Sequence, residues 1–184
     1  TVLVVGPGLG QSPWSEQMLQ QALATDLPLV LDADALNLIA KGRLWPAGKT
    51  RDNWLLTPHP GEAARLLGCE SAEVQAERFA SVQKLQQQYG GVALLKGAGT
   101  LVAGAQRPVN IISGGNPGMA SGGMGDVLSG LLGALLAQGL NAYDAANLGA
   151  SVHAHAADLA AADGGQLSLL ATDILAYVGE LLGD

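Results

Sequence analysis

Apolar residues gather in short unbroken runs, and between the runs they recur at helical spacing. The runs at 2–5, 27–31, 53–56 and 92–95 have the length and largely aliphatic character of buried strands. Two further stretches, 101–103 and 109–112, read as a hairpin. Over 13–24, Trp14, Met18, Leu19, Ala22 and Leu23 fall on one side of a helix. A short helix over 35–40 follows, with Asp34 as its expected N-cap. Pro60 suits the first turn of a helix running to Leu67, and 72–89 reads as one long helix with a polar face. Three apolar helices close the chain, over 125–138, 142–162 and 171–182. This alternation predicts an α/β fold, a mainly parallel sheet with helices covering both faces. Ligands of such sheets bind beyond the carboxyl ends of the strands. Each polar cluster in this chain follows a strand, so all are able to line one crevice.

Composition narrows the partners. The 184 residues suit a single domain over 1–184, and 48% hydrophobic against 14% charged residues implies a folded core. A net charge of −7, with no run of Lys or Arg, argues against nucleic acid and anionic membrane, because both need a basic face. A bound phosphate must then be held by backbone N–H groups and one or two local cations. The single cysteine, Cys69, excludes an internal disulfide and a multi-cysteine metal site, and reads as a small apolar residue. The longest apolar stretch, 131–137, is too short to span a bilayer and no signal peptide precedes the first strand, so a cytoplasmic location is expected. Thr1 leads straight into a strand with no Met, which points to a piece of a longer protein. Glycine is the outlier: 26 of them is about twice the average usage, a sign of sharp turns or of backbone packed on a ligand.

The densest glycine segment runs from Gly114 to Asp126. Glycines at 114, 115, 118, 122, 123 and 125 free successive backbone N–H groups to converge, just where a Leu-rich helix begins. The unpaired amides and positive dipole end of that helix add to an anion site made without a basic side chain. Asp126 in the first helical turn is either a capping and dipole-compensating residue or a general base for an attacking hydroxyl; spacing leaves both open. Lys96, followed by Gly97, Ala98, Gly99 and Thr100, reads as a solvated turn lysine or as a phosphate contact. With no GxxxxGK[ST], the chain is not a P-loop enzyme. The turn Gly6-Pro7-Gly8-Leu9-Gly10 resembles a dinucleotide fingerprint but lacks its third glycine, at Gln11. His59, fixed between two prolines at a strand end, favours ligand contact. His153 and His155, two apart on a helix, diverge and read as structural or surface residues. Asp32, Asp34 and Asn37 are able to hold a hydrated cation, or to cap and form turns.

Taken together, residues 6–10, the run Asp32-Ala33-Asp34-Ala35-Leu36-Asn37, TPHPGE at 57–62, residues 96–100 and GNPGMASGGMGDVLSG at 115–130 resemble the ADP-dependent NAD(P)H-hydrate dehydratase family. The match runs through nearly the whole chain in the family's order. It implies a ribokinase-like fold, three layers α/β/α, whose N-terminal part lies outside this chain and completes both the sheet and the hydrate pocket. It implies a lyase that repairs (6S)-NAD(P)H hydrate, consuming ADP and giving NAD(P)H, AMP and phosphate, with Mg2+ as phosphate counter-ion. By motif position, Asp126 is the implied base and substrate contact, and Gly8 and His59 are further substrate contacts. The implied nucleotide segments are Lys96, Gly97, Ala98, Gly99 and Thr100, and Asn116, Pro117, Gly118, Met119, Ala120, Ser121, Gly122, Gly123, Met124 and Gly125. The commonest family turn carries threonine where this chain has Ser121 and Met124: the first keeps a hydroxyl, the second removes one. A fused epimerase domain is common in the family, and the alanine-rich final helices suit a homo-oligomer contact or burial on the sheet.

Three rivals use the same residues. A ribokinase-like vitamin or sugar kinase shares the anion turn and aspartate. An oxidoreductase would use the turn at 6–10, and a sensor would bind nucleotide without turnover. The TPHPGE and DADALN segments favour the dehydratase.

Overall fold

The computed structural model describes residues 1–183. Six strands form one sheet whose spatial order is the order of the sequence: β1 (Leu3–Val5), β2 (Leu29–Leu31), β3 (Trp54–Leu56), β4 (Val92–Leu95), β5 (Thr100–Gly104) and β6 (Asn110–Ile112). The first four run parallel, with Val4 opposite Val30, Val30 opposite Leu55 and Leu56 opposite Ala93. The hairpin β5–β6 is appended antiparallel to β4, with Leu94 opposite Val102.

Side-chain alternation along the strands splits the core into two. Leu29, Leu31, Trp54, Leu56, Ala93 and Leu95 point to one face, where they meet helices α1 (Pro13–Leu23), α2 (Ala33–Ala40), α3 (Pro60–Leu67), α4 (Ser71–Ala76) and α5 (Arg78–Tyr89). Val30, Leu55, Val92, Leu94 and Val102 point to the other, under α6 (Met124–Ala137) and α7 (Ala142–Gly164). The last helix, α8 (Ile174–Leu182), packs on α7 away from the sheet. Strands buried from both sides explain why the sequence shows unbroken apolar runs rather than alternation. β1 and β6 are the exceptions. They lie at the two sheet edges, and Val4 and Ile111 are exposed. No helix among the described residues is long and apolar enough to cross a membrane.

Two local expectations change. The stretch 72–89 is not one helix but two, broken at Glu77, whose φ of −125° and ψ of 52° leave the helical region. Neither proline nor glycine sits there. Instead the break accompanies a tertiary attachment, in which the Arg78 guanidinium donates to the carbonyl of Gly99 at 2.9 Å and more distantly to that of Lys96 at 3.4 Å. Tertiary bonding overrides local propensity here. The helix expected from 35 begins at Ala33, so Asp32 occupies its N-cap and Asp34 lies in its first turn. Asp34 reaches outward instead: its carboxylate accepts the Gly10 N–H at 2.9 Å and the Gln11 side-chain amide at 3.2 Å.

Those bonds hold the first glycine turn against the second strand end. Gly6 makes the closest approach, with φ +134°, and a Cβ at this position would collide with the carbonyl oxygen of Asp32. Gly6→Ala is expected to destabilise the protein by about 3 kcal/mol, from steric displacement and backbone strain together. Urea unfolding checks this, and a midpoint equal to that of the unaltered protein would show that the two strand ends are not rigidly apposed.

Candidate active site

A cleft of about 720 Å³ opens beyond the carboxyl end of β4 and the hairpin, against the start of α6. Lys96, Gly97, Ala98, Gly99 and Thr100 form one wall; Asn116, Pro117, Met119, Ala120, Ser121, Met124 and Gly125 form another. His59 stands at its margin. The sequence motifs separated by tens of residues are thus brought to one place. Gly118, Gly122 and Gly123 belong to the same turn without lining the cleft, and Gly8 and Asp126 are exposed outside the lining. A second hollow, of about 470 Å³, lies between the ends of α3 and α5 among polar side chains such as Glu73 and Lys84, and offers no comparable set of backbone donors.

The start of α6 has the properties of an anion seat. Its N-cap is Gly123 in a left-handed conformation, φ +89°, and no side chain caps it. The first amides of a helix have no intrahelical acceptor, so these are directed outward beside the cleft. Before it, Pro117–Ala120 forms a 3-10 turn capped by the Asn116 side chain, which accepts the Gly118 N–H. Between the two lies the one buried side-chain polar atom without a partner among the described residues, the Ser121 hydroxyl oxygen. An unsatisfied buried hydroxyl costs about 1–3 kcal/mol. A phosphate oxygen supplied by a ligand would satisfy it, so the residues present fit a nucleotide diphosphate.

Behind this seat runs a buried charge network. Asp32, only 1% exposed, receives the Lys96 ammonium at 2.7 Å on one oxygen and the Ser129 hydroxyl at 2.8 Å on the other. Lys96 Nζ also stands 4.0 Å from the buried carboxylate of Glu62. Glu62 in turn accepts the His59 backbone N–H at 2.8 Å and lies 3.4 Å from His59 Nε2. Gly61 donates to His59 Nδ1 at 3.0 Å, which in the neutral ring places the proton on Nε2. Lys96 is therefore neither a solvated turn residue nor a free cation: it lines the cleft already paired. Asp32, Asp34 and Asn37, the residues considered for a hydrated cation, are each engaged within the protein, Asp32 and Asp34 as described and Asn37 accepting from Arg65 at 3.0 Å. No three His, Cys, Asp or Glu side chains among the described residues gather as a metal set.

Sequence reasoning missed three contributors. Ser129 and Arg78 anchor Asp32 and the turn at 96–100, and Asp158 binds the turn at 115–116. His153, expected as structural or surface, is structural. It is buried in the cleft wall, and its Nε2 bonds to the Met124 carbonyl at 3.0 Å, at the first turn of α6. His155 is exposed, with Nδ1 on the Ser151 carbonyl at 2.8 Å. Only the long-range partners distinguish the two histidines, and single-sequence periodicity does not reveal them.

Burial holds the His153 pKa below its ordinary 6.5; the Met124 carbonyl opposes this and nearby Lys96 reinforces it. Well above pH 6.5 the ring is neutral whether the chain is folded or unfolded. As pH falls below that value the unfolded chain takes up the proton first, so stability drains with falling pH. We expect His153→Gln to lose less of its melting temperature than the wild type between about pH 7.5 and about pH 5.5, the range in which histidine titrates. Parallel losses in thermal melts at the two pH values would contradict a neutral buried ring.

The chain has counterparts among known proteins. A family model described as NAD(P)H-hydrate dehydratase matches residues 1–179. The chain is 50% identical over 182 residues to the bifunctional NAD(P)H-hydrate repair enzyme Nnr of Coxiella burnetii, covering 99% of this chain and 36% of that protein. It is 44% identical over 164 residues to the ADP-dependent (S)-NAD(P)H-hydrate dehydratase of Neisseria meningitidis, covering 85% of this chain and 54% of that one. The ADP/ATP-dependent NAD(P)H-hydrate dehydratase of Bacillus subtilis, co-crystallized with ATP/Mg2+, superposes with a TM-score of 0.85 at 28% identity, over 98% of this chain and 63% of that structure. The layout is ribokinase-like, as the motifs imply. This chain spans about a third of the bifunctional relative's length and less than two thirds of the solved dehydratase's. Motif order, sheet topology and the near-complete match to the family model agree: the chain belongs to the NAD(P)H-hydrate dehydratase family.

Proposed function

We propose that this chain is the nucleotide-using module of an enzyme that returns hydrated NADH or NADPH to the reduced cofactor. The observation that carries this reading is the unpartnered Ser121 hydroxyl beside the uncapped start of α6, in a cleft walled by 96–100. ADP is the phosphoryl donor on this reading. The hydrate's ring hydroxyl loses its proton and attacks the terminal phosphorus, the phosphoanhydride bond breaks, and AMP departs. The ring carbon–oxygen bond then breaks with phosphate as leaving group, the ring gives up a proton, and the double bond is restored. Phosphate leaves far more readily than hydroxide, which is why a nucleotide is consumed.

Asp126 is proposed as the base for the hydroxyl proton, being an exposed carboxylate in the first turn of α6. His59 and Gly8 are proposed hydrate contacts, the first presenting its half-exposed ring at the cleft margin. Lys96 to Thr100 and Asn116 to Gly125 are proposed nucleotide contacts, with main-chain N–H groups and the Ser121 hydroxyl as donors. Mg2+ would arrive on the diphosphate, the usual manner for a cation that keeps much of its water. An epimerase in the remainder of the parent protein is proposed from the bifunctional relatives. Leu148, Leu159, Leu175 and Leu181 leave apolar surface on α7 and α8, which supports a homo-oligomer. The cytoplasm, where nicotinamide cofactors turn over, is the proposed compartment.

The deciding assay gives the full-length protein hydrated NADH and ADP, and follows recovery of dihydronicotinamide absorbance with AMP release. Accumulation of a phosphorylated small alcohol across a substrate panel, without that recovery, would establish the kinase reading instead. Asp126→Asn is expected to keep nucleotide affinity while turnover falls at least ~100-fold, the scale of general-base loss. Full turnover in that variant would remove the assigned role. Gly123→Val is expected to abolish ADP binding in calorimetry, because a branched side chain is strained at φ +89° and would crowd Ala171, displacing the anion seat.

A further inference from the structure

We infer that Asp158 is a positioning residue for the nucleotide, setting from behind the main chain that opens the glycine-rich turn; this rests on the nucleotide reading of the cleft. Asp158 sits on α7 and does not line the cleft. Its Oδ2 accepts the Gly115 N–H at 2.9 Å, and its Oδ1 accepts the Asn116 side-chain amide at 2.9 Å. The same Asn116 nitrogen donates to the Ala157 carbonyl at 3.0 Å, while Asn116 Oδ1 accepts the Gly118 N–H at 3.0 Å. The Asn116 carbonyl then accepts the Met119 N–H at 3.1 Å, and the Gly118 carbonyl accepts the Ser121 N–H at 3.3 Å. One carboxylate thus starts an unbroken series of bonds that ends at Ser121, whose hydroxyl awaits an acceptor.

The residue type follows from the geometry. Both bonds to Asp158 come from N–H donors, and a carboxylate accepts at each oxygen. An amide side chain offers one acceptor and would turn its own N–H groups against the second donor. Charge-assisted bonds also hold their geometry more strongly than neutral ones. The mechanical benefit is specific to this segment. A turn rich in glycine has many conformations to lose on binding. A turn already tied to a rigid helix loses few, so more of the contact energy with the diphosphate remains as affinity. The Asn116 side chain already bonds Asp158, Ala157 and Gly118, so it transmits this restraint and leaves nucleotide contact to the main chain.

Asp158→Ala and Asp158→Asn in the full-length protein test the assignment. In Asp158→Ala we expect the ADP Kd and KM to rise about tenfold or more, the scale of losing a bond to a charged group. The hydrate KM should stay within about twofold, because that ligand meets other residues. Asp158→Asn, which keeps one acceptor, should fall between. Amide exchange at Gly115 should quicken in Asp158→Ala without any ligand. An unchanged ADP KM, or both KMs rising together with a general loss of stability, overturns the positioning role. A wild-type protein that binds no ADP overturns the nucleotide reading instead, and with it this inference, whereas loss of Gly115 protection would still establish the tether.

Discussion

At the carboxyl end of β2, the Asp32 carboxylate lies out of reach of water and receives an ammonium on one oxygen and a hydroxyl on the other. Desolvating a carboxylate is expensive, and the arrangement persists only because both oxygens take strong donors. Those donors come from distant parts of the chain, Lys96 at the end of β4 and Ser129 within α6. The same residue's backbone carbonyl is where Gly6 packs. Three strand ends and one helix are therefore registered on a single residue. Each wall of the cleft is fixed relative to the others through it, and the anion seat at the start of α6 owes its position to the Ser129 bond as much as to its own glycines.

This registration also sets the electrostatics. The chain carries −7 overall, and the lysine that reaches the cleft is already matched by Asp32, with Glu62 nearby. On the proposed reading, an excess of fixed positive charge is not what would draw a diphosphate to this site. Main-chain donors at α6 and one hydroxyl supply directed, short-range attraction instead. Three acidic groups behind the seat are held by bonds, Asp32 to Lys96 and Ser129, Glu62 to His59, and Asp158 to Gly115 and Asn116, while Asp126 stays exposed in the first turn of α6.

Much of this was legible in the sequence. Six strands, a mainly parallel sheet and helices on both faces follow from apolar runs and their spacing, whereas the strand order does not. The segments at 96–100 and 114–125 announced themselves by glycine content and by motif, and they do share one cleft. What escaped has a common physical origin. The break at Glu77 accompanies the reach of Arg78 to carbonyls across the fold, with no local breaker to mark it. Asp34 was expected to cap a helix but holds Gly10 and Gln11, which are 24 and 23 residues away. Ser129 and Asp158 look like ordinary helix residues until their partners, 97 and 43 residues distant, are brought beside them. Patterns of period 2 or 3.6 record burial, whereas the choice of polar partner is a property of the finished fold.

Building an anion seat from uncapped amides on an acidic protein has a consequence for its response to ionic strength. Sites assembled from lysines and arginines weaken as salt rises, because the attraction is long-ranged and becomes screened. Here the long-ranged component is repulsive, and the attraction operates only at contact distance. Added salt mutes the repulsion and leaves the contacts nearly untouched. On the proposed reading, nucleotide capture by this chain would therefore hold its strength as ionic strength rises.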